Sequence, residues 1–148
     1  MQLTQLYLEV LSAPMNPSHV LIADDSKMVR MMLSSLIGAA YPDAHITPAE
    51  DGDVALELLA QSAHDLVITD LNMPNMGGEE LYQLTREKFG NGELTSMPMF
   101  IFCSATTAAI PSLDEICEQS GCTRLAKPFT VDQIENCVKD MLEASSPS

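Results

Sequence analysis

The chain has 148 residues, 46% of them apolar and none tryptophan, with 21 acidic against 7 basic residues and a formal charge of -14. That length fills one domain rather than two, no apolar run spans a membrane, and so acidic a balance would repel a phosphate backbone, which argues against membrane insertion and direct nucleic-acid binding. The first residues carry no basic cluster ahead of an apolar stretch, so the expected location is the cytoplasm.

In chain order, Leu3, Leu6, Tyr7, Val10 and Leu11 form a narrow apolar stripe of helical period ahead of Pro14, within an amino-terminal extension of residues 1–17. Such a helix either packs on the domain, is leader sequence ahead of Met15, or serves as a dimerisation or docking helix through which a homodimer would form. His19 to Ala23 then reads as a strand running into Asp24-Asp25. Val29, Met32, Leu33, Leu36 and Ile37 recur at helical spacing, and Tyr41-Pro42-Asp43 stops them. A second strand, about Ala44 to Pro48, suits a sheet edge because Pro48 donates no hydrogen bond. Gly52 breaks the chain and Asp53 is the expected cap of a short helix, Val54 to Ala60, burying Ala55, Leu58 and Leu59. Leu66 to Thr69, apolar throughout, should be a central strand, and Asp70 stands at its tip before the turn Leu71-Asn72-Met73-Pro74-Asn75-Met76-Gly77-Gly78.

Glu79 to Lys88 is the next helix, with Leu81, Leu84 and Phe89 expected inward and Gly90-Asn91-Gly92 ending it. A fourth strand, Met97 to Cys103, precedes a helix near Ala108 to Gln119 with Ile110, Leu113, Ile116 and Cys117 on one stripe and Gly121 closing it. Thr123 to Ala126 is the fifth strand and runs into Lys127-Pro128. Val131 to Leu142 is the last helix, burying Val131, Ile134, Val138, Met141 and Leu142. The alternation predicts an α/β domain over residues 18–143, a parallel sheet covered on both faces, with a frayed tail at 144–148. Cys103, Cys117, Cys122 and Cys137 form no Cys-x-x-Cys pair and read as reduced structural thiols.

Taken singly, Asp24-Asp25 is a helix cap, Asp70 a turn residue, Ser104 a surface hydroxyl and Lys127 an exposed lysine. Yet all lie at the carboxyl ends of predicted strands, where an α/β sheet gathers its ligands. Adjacent carboxylates repel unless a cation sits among them, and with no histidine or cysteine beside them a hard dication bound by oxygen fits, Mg²⁺ ahead of Ca²⁺. Such an ion would prepare Asp70 to attack phosphorus, while Lys127 and the Ser104 hydroxyl could hold the other phosphoryl oxygens. The cluster predicts an aspartyl phosphate.

With Asp24-Asp25, Asp70 followed by Met73-Pro74 and Gly77-Gly78, Ser104-Ala105 and Lys127-Pro128-Phe129, the stretch from His19 to Leu142 resembles the receiver domain of two-component response regulators. The resemblance implies a doubly wound, flavodoxin-like sheet of order 2-1-3-4-5. It also implies that Asp70 takes a phosphoryl group from a phosphohistidine of a sensor histidine kinase or phosphotransfer protein. Asp25, Asp70 and the backbone carbonyl of Asn72 would bind Mg²⁺, with Asp24 helping through water. Ser104 and Lys127 would contact the phosphoryl group, and their movement would alter the face of the fourth helix, fifth strand and fifth helix, where a downstream target protein binds. The likeness is to stand-alone receivers, whose output is protein–protein contact.

One position departs from the family pattern. An aromatic residue usually stands three places before the lysine and swings inward as the hydroxyl residue moves; here it is Arg124. The expectation is that Arg124 replaces that switch by pairing with Asp114 or Glu115. Asn72 and Thr106, two residues beyond Asp70 and Ser104, flank the path of the attacking water in the family and should tune self-dephosphorylation. Two rival classes remain. A Mg²⁺-dependent phosphohydrolase with an aspartyl nucleophile is the first, as in the haloacid-dehalogenase type, a family that places nucleophile and acid/base as Asp-x-Asp, whereas Asp70 is followed by Leu71-Asn72. A scaffold that never carries phosphate would have no need of the charged pocket.

Overall fold

The computed structural model describes residues 16–119 and 121–145. Strands and helices alternate: β1 (His19–Ala23), α1 (Lys27–Ala40), β2 (His45–Ala49), α2 (Gly52–Gln61), β3 (Leu66–Asp70), α3 (Gly78–Gly90), β4 (Met99–Ser104), α4 (Pro111–Gln119), β5 (Cys122–Ala126) and α5 (Val131–Ser145). The strands form one parallel sheet in the order β2-β1-β3-β4-β5, the doubly wound order expected. The apolar stripe of the amino-terminal extension and residues 146–148 of the expected tail lie outside the described residues, while α5 runs on through Ser145.

The sheet forms because β1, β3 and β4 are apolar on both faces, and the two-residue period of a strand sorts their side chains between two cores. Leu21, Ala23, Val67, Phe100 and Phe102 point to one side and pack with Ala55 and Leu59 of α2, Leu81 and Tyr82 of α3, and Leu113 and Ile116 of α4. Val20, Ile22, Leu66, Ile68, Ile101 and Cys103 point to the other, against Leu33 and Ile37 of α1 and Ile134, Val138 and Met141 of α5. Tyr82 meets Phe100 and Phe102 edge-on, with ring centroids 5.2 and 5.9 Å away. β2 lies at the edge, so Pro48, which stands opposite Ile22, leaves no strand on its outer side without a donor.

Several local expectations are corrected. The cap of α2 is Asp51, not Asp53: its Oδ1 accepts the Val54 N–H at 2.9 Å, and Asp53 lies in the first turn. Gly52 is not a break but the first helical residue, and a Cβ there would stand 2.6 Å from the Met76 carbonyl oxygen, so glycine lets α2 approach the loop after β3. Helix α4 begins at Pro111 rather than Ala108, the position where a missing N–H and a fixed φ suit a helix start. Met32 is 49% exposed because α1 buries only the narrow arc of Leu33 and Ile37, and Phe89 is 43% exposed in the last turn of α3, whose inward positions are Leu81, Tyr82 and Thr85. The buried Thr85 hydroxyl is satisfied within the helix, donating to the Leu81 carbonyl at 2.6 Å.

Candidate functional site

The carboxyl ends of β1, β3, β4 and β5 deliver the predicted residues to one edge of the sheet. Asp24 and Asp25 follow β1, Asp70 ends β3, Ser104 ends β4 and Lys127 follows β5. One carboxylate oxygen from each of Asp24, Asp25 and Asp70 falls within 4.8 Å of the others. The Lys127 ammonium sits 3.0 Å from Asp24 Oδ2 and 3.5 Å from Asp70 Oδ2.

Asp24 is 2% exposed and fully partnered. Its Oδ1 accepts the Ser26 N–H at 2.9 Å, its Oδ2 accepts from Lys127, and its backbone carbonyl accepts from Arg30 Nη1 at 2.6 Å. Ser26 in turn caps α1 by accepting the Val29 N–H, so the start of that helix and the carboxylate are held together. The family resemblance implied a water-mediated role for Asp24, and its direct bond to Lys127 went unforeseen, because no spacing encodes a contact between residues so far apart. Asp25 is exposed, leaving its carboxylate open to solvent at the rim.

Asp70 Oδ1 accepts the Asn72 N–H at 3.3 Å. Burial pushes the Asp70 carboxyl above the ordinary value of 3.8, against the opposing Asn72 bond and Lys127 charge, and the neighbouring Asp24 adds to the rise. Desolvation pulls Lys127 down, but its bond to Asp24 and the charges of Asp24 and Asp70 outweigh that and hold its pKa above the lysine norm. The loop after β3 folds tightly against the strand tip: a Cβ on Gly77 would stand 2.4 Å from the Leu71 carbonyl oxygen, and one on Gly78 would stand 2.5 Å from that of Asp70. Those two glycines therefore let α3 start directly behind the acidic side chain.

Ser104 is 1% exposed. Its hydroxyl oxygen accepts the Thr106 N–H at 3.2 Å, and its carbonyl accepts the Lys127 N–H at 2.8 Å, tying the ends of β4 and β5. Asn72 and Thr106 are exposed beside this edge. The Lys127–Pro128 peptide bond is cis. The Cys103 thiol is buried next to the site and its pKa is pushed up to about 12 by desolvation, as suits an inert structural thiol.

The expected pairing of Arg124 with Asp114 or Glu115 is not what the structure holds. Its Nη2 donates to the Thr106 carbonyl and its Nη1 to the Ala108 carbonyl, both at 2.7 Å, and among the described residues no ion pair involves Arg124. Asp114 instead accepts the Ile110 N–H at 3.2 Å. Backbone carbonyls leave no side-chain signature, so these partners could not have been read from composition or spacing.

Three converging carboxylate oxygens, with no histidine or cysteine in the group, suit a hard dication held by oxygen ligands. The nearby ammonium adds a site for an anionic group that bridges the same edge.

A family model described as the response regulator receiver domain matches residues 20–139, and the chain belongs to that family. A probable chemotaxis protein CheY of Rhizobium etli is 31% identical over 126 residues, covering 84% of this chain and 92% of that protein. Histidine kinase P4 of Formosa agariphila is 29% identical over 136 residues, 92% of this chain but only 9% of the kinase. The solved chemotaxis protein CheY4 of Vibrio cholerae superposes with a TM-score of 0.68 at 23% identity, over 85% of this chain and 99% of that one, a likeness of fold. No described helix is long and apolar enough to cross a membrane.

Proposed function

We propose that the protein is a phosphoacceptor of two-component signalling. Asp70 takes a phosphoryl group from a phosphohistidine of a sensor kinase or phosphotransfer protein, and the modified chain signals from the cytoplasm by contact with a downstream protein. The observation that carries this reading is the convergence of Asp24, Asp25 and Asp70 with the Lys127 ammonium between two of them. A carboxylate oxygen of the partly buried Asp70 attacks phosphorus, the phosphorus–nitrogen bond breaks, and the donor imidazole leaves with the electron pair. Asp25, Asp70 and the carbonyl of Asn72 would hold Mg²⁺, with Asp24 assisting through water; the ion, when bound, offsets the charge of the arriving phosphoryl group. Lys127 holds one phosphoryl oxygen by charge and Ser104 another through its hydroxyl. Asn72 and Thr106, both small, polar and exposed, set how readily water reaches the acyl phosphate and hence the rate of self-dephosphorylation. The face of α4, β5 and α5 is the proposed contact for the downstream target.

The test is incubation of the full chain with Mg²⁺ and acetyl phosphate, followed by intact mass. A gain of one phosphoryl group in the wild type that Asp70→Ala abolishes is the expected result. Steady turnover of an added phosphoester would replace the reading with a hydrolase, and an unmodified protein would favour a scaffold.

A further inference from the structure

Between β4 and α4, residues 105–109 are all exposed, and the loop's one apolar anchor is Ile110 at its far end, which packs against the core. Its shape rests on hydrogen bonds. The Ser104 hydroxyl oxygen accepts the Thr106 N–H at 3.2 Å, and the Thr106 hydroxyl oxygen accepts the Ala108 N–H at 3.0 Å. From the neighbouring strand, where it stands opposite Phe102, Arg124 reaches over and forks across the carbonyls of Thr106 and Ala108, each at 2.7 Å. Thr106 is thus gripped at both ends of its backbone, its N–H by the Ser104 hydroxyl and its carbonyl by the Arg124 guanidinium.

We propose that Arg124 is a positioning residue that clamps this loop in its present arrangement and opposes the turn of Ser104 toward a phosphoryl group on Asp70, an inference that rests on the phosphoacceptor reading above. For the Ser104 oxygen to move toward the acceptor, it must release the Thr106 N–H or carry the loop with it. Carrying the loop pulls the Thr106 carbonyl off a charged donor, and hydrogen bonds from a charged donor are roughly twice as strong as neutral ones. No carboxylate among the described residues lies within ion-pair distance of Arg124, so the guanidinium is not shared between the loop and an acid. An interaction present in one arrangement and lost in the other shifts the balance between them by its own free energy. A receiver with this clamp has a higher threshold for reaching its activated form than one in which the loop is free.

The test measures the affinity of the full chain for beryllofluoride with Mg²⁺, a mimic of the phosphoryl group, together with amide hydrogen exchange in its absence. Arg124→Ala is expected to bind the mimic roughly threefold to tenfold more tightly, the span of one net hydrogen bond, because both Arg124 bonds are solvent-exposed. The amides of Thr106 and Ala108 should exchange faster in that variant, and Arg124→Lys, whose single ammonium cannot fork across both carbonyls, should fall between. A purely structural role predicts the opposite pattern, weaker binding with a lower thermal midpoint, and that result overturns the clamp. Equal affinity in wild type and Arg124→Ala overturns it too, leaving the acceptor role intact. A wild type that takes up no mimic at all defeats the phosphoacceptor reading itself.

Discussion

Lys127 is the only cation within ion-pair distance of Asp24 and Asp70 among the described residues, and Asp24 is 2% exposed. A buried carboxylate that loses its partner keeps its desolvation cost without compensation. Lys127→Ala is therefore expected to lower stability by about 1–3 kcal/mol in urea unfolding without added metal, a range set by one unsatisfied buried group. An unchanged midpoint would mean that the ammonium contributes nothing to the folded state. Asp70 gives a pH dependence of definite sign. Burial holds its carboxyl above the ordinary 3.8, so protons compete for it at a higher pH than for a free aspartate. Calorimetric Mg²⁺ affinity should fall as pH is lowered from neutrality toward that range, and Asp70→Asn, weaker at every pH, should show a shallower fall. At this scale the sequence revealed which residues meet, since strand tips could be recognised from apolar runs ending in Asp or Lys. It did not reveal how they bond: the Asp24–Lys127 contact and the carbonyl partners of Arg124 depend on side-chain reach and loop path.

Among the elements, α3 and the loop before it hold the acceptor in place. Gly78 opens α3 with its Cα against the Asp70 carbonyl, where an added Cβ would stand 2.5 Å away, so backbone must shift to admit one. Gly78→Ala is expected to destabilise by about 1–3 kcal/mol, as overpacking does, and to weaken Mg²⁺ binding because Asp70 is displaced. Retention of both stability and affinity would show that the loop is looser than described. Elements with strong periodicity, such as β1, β3 and α5, were legible because burial on one or both faces writes itself into the sequence. Element ends were not. Asp51 and Asp53 are equally good cap residues by type, and only the backbone of the incoming chain selects Asp51. Ala108 and Ala109 read as helix formers, yet the clamped loop continues to Pro111 before α4 starts.

For the whole molecule, the parallel sheet is what makes the site, because it alone brings the ends of β1, β3, β4 and β5 to one edge. The order of strands followed from the family resemblance, whereas the two-faced burial of β3 was legible from its own apolar run. A formal charge of -14 in 148 residues also means that the folded chain repels itself. The thermal midpoint should rise as NaCl screens that repulsion, and Mg²⁺ at equal ionic strength should raise it further in the wild type but much less in Asp70→Asn. Equal responses to the two salts would show that the carboxylates bind no ion specifically. The claim on which all else depends is that phosphorus becomes bonded to one oxygen of Asp70. It is tested most directly by reducing the freshly phosphorylated chain with borohydride, which converts an aspartyl phosphate to homoserine, and mapping the product by peptide mass. Homoserine at position 70 and nowhere else is the predicted result; a stable phosphate on another residue, or unaltered aspartate at 70 in a chain that has gained phosphoryl mass, would contradict it.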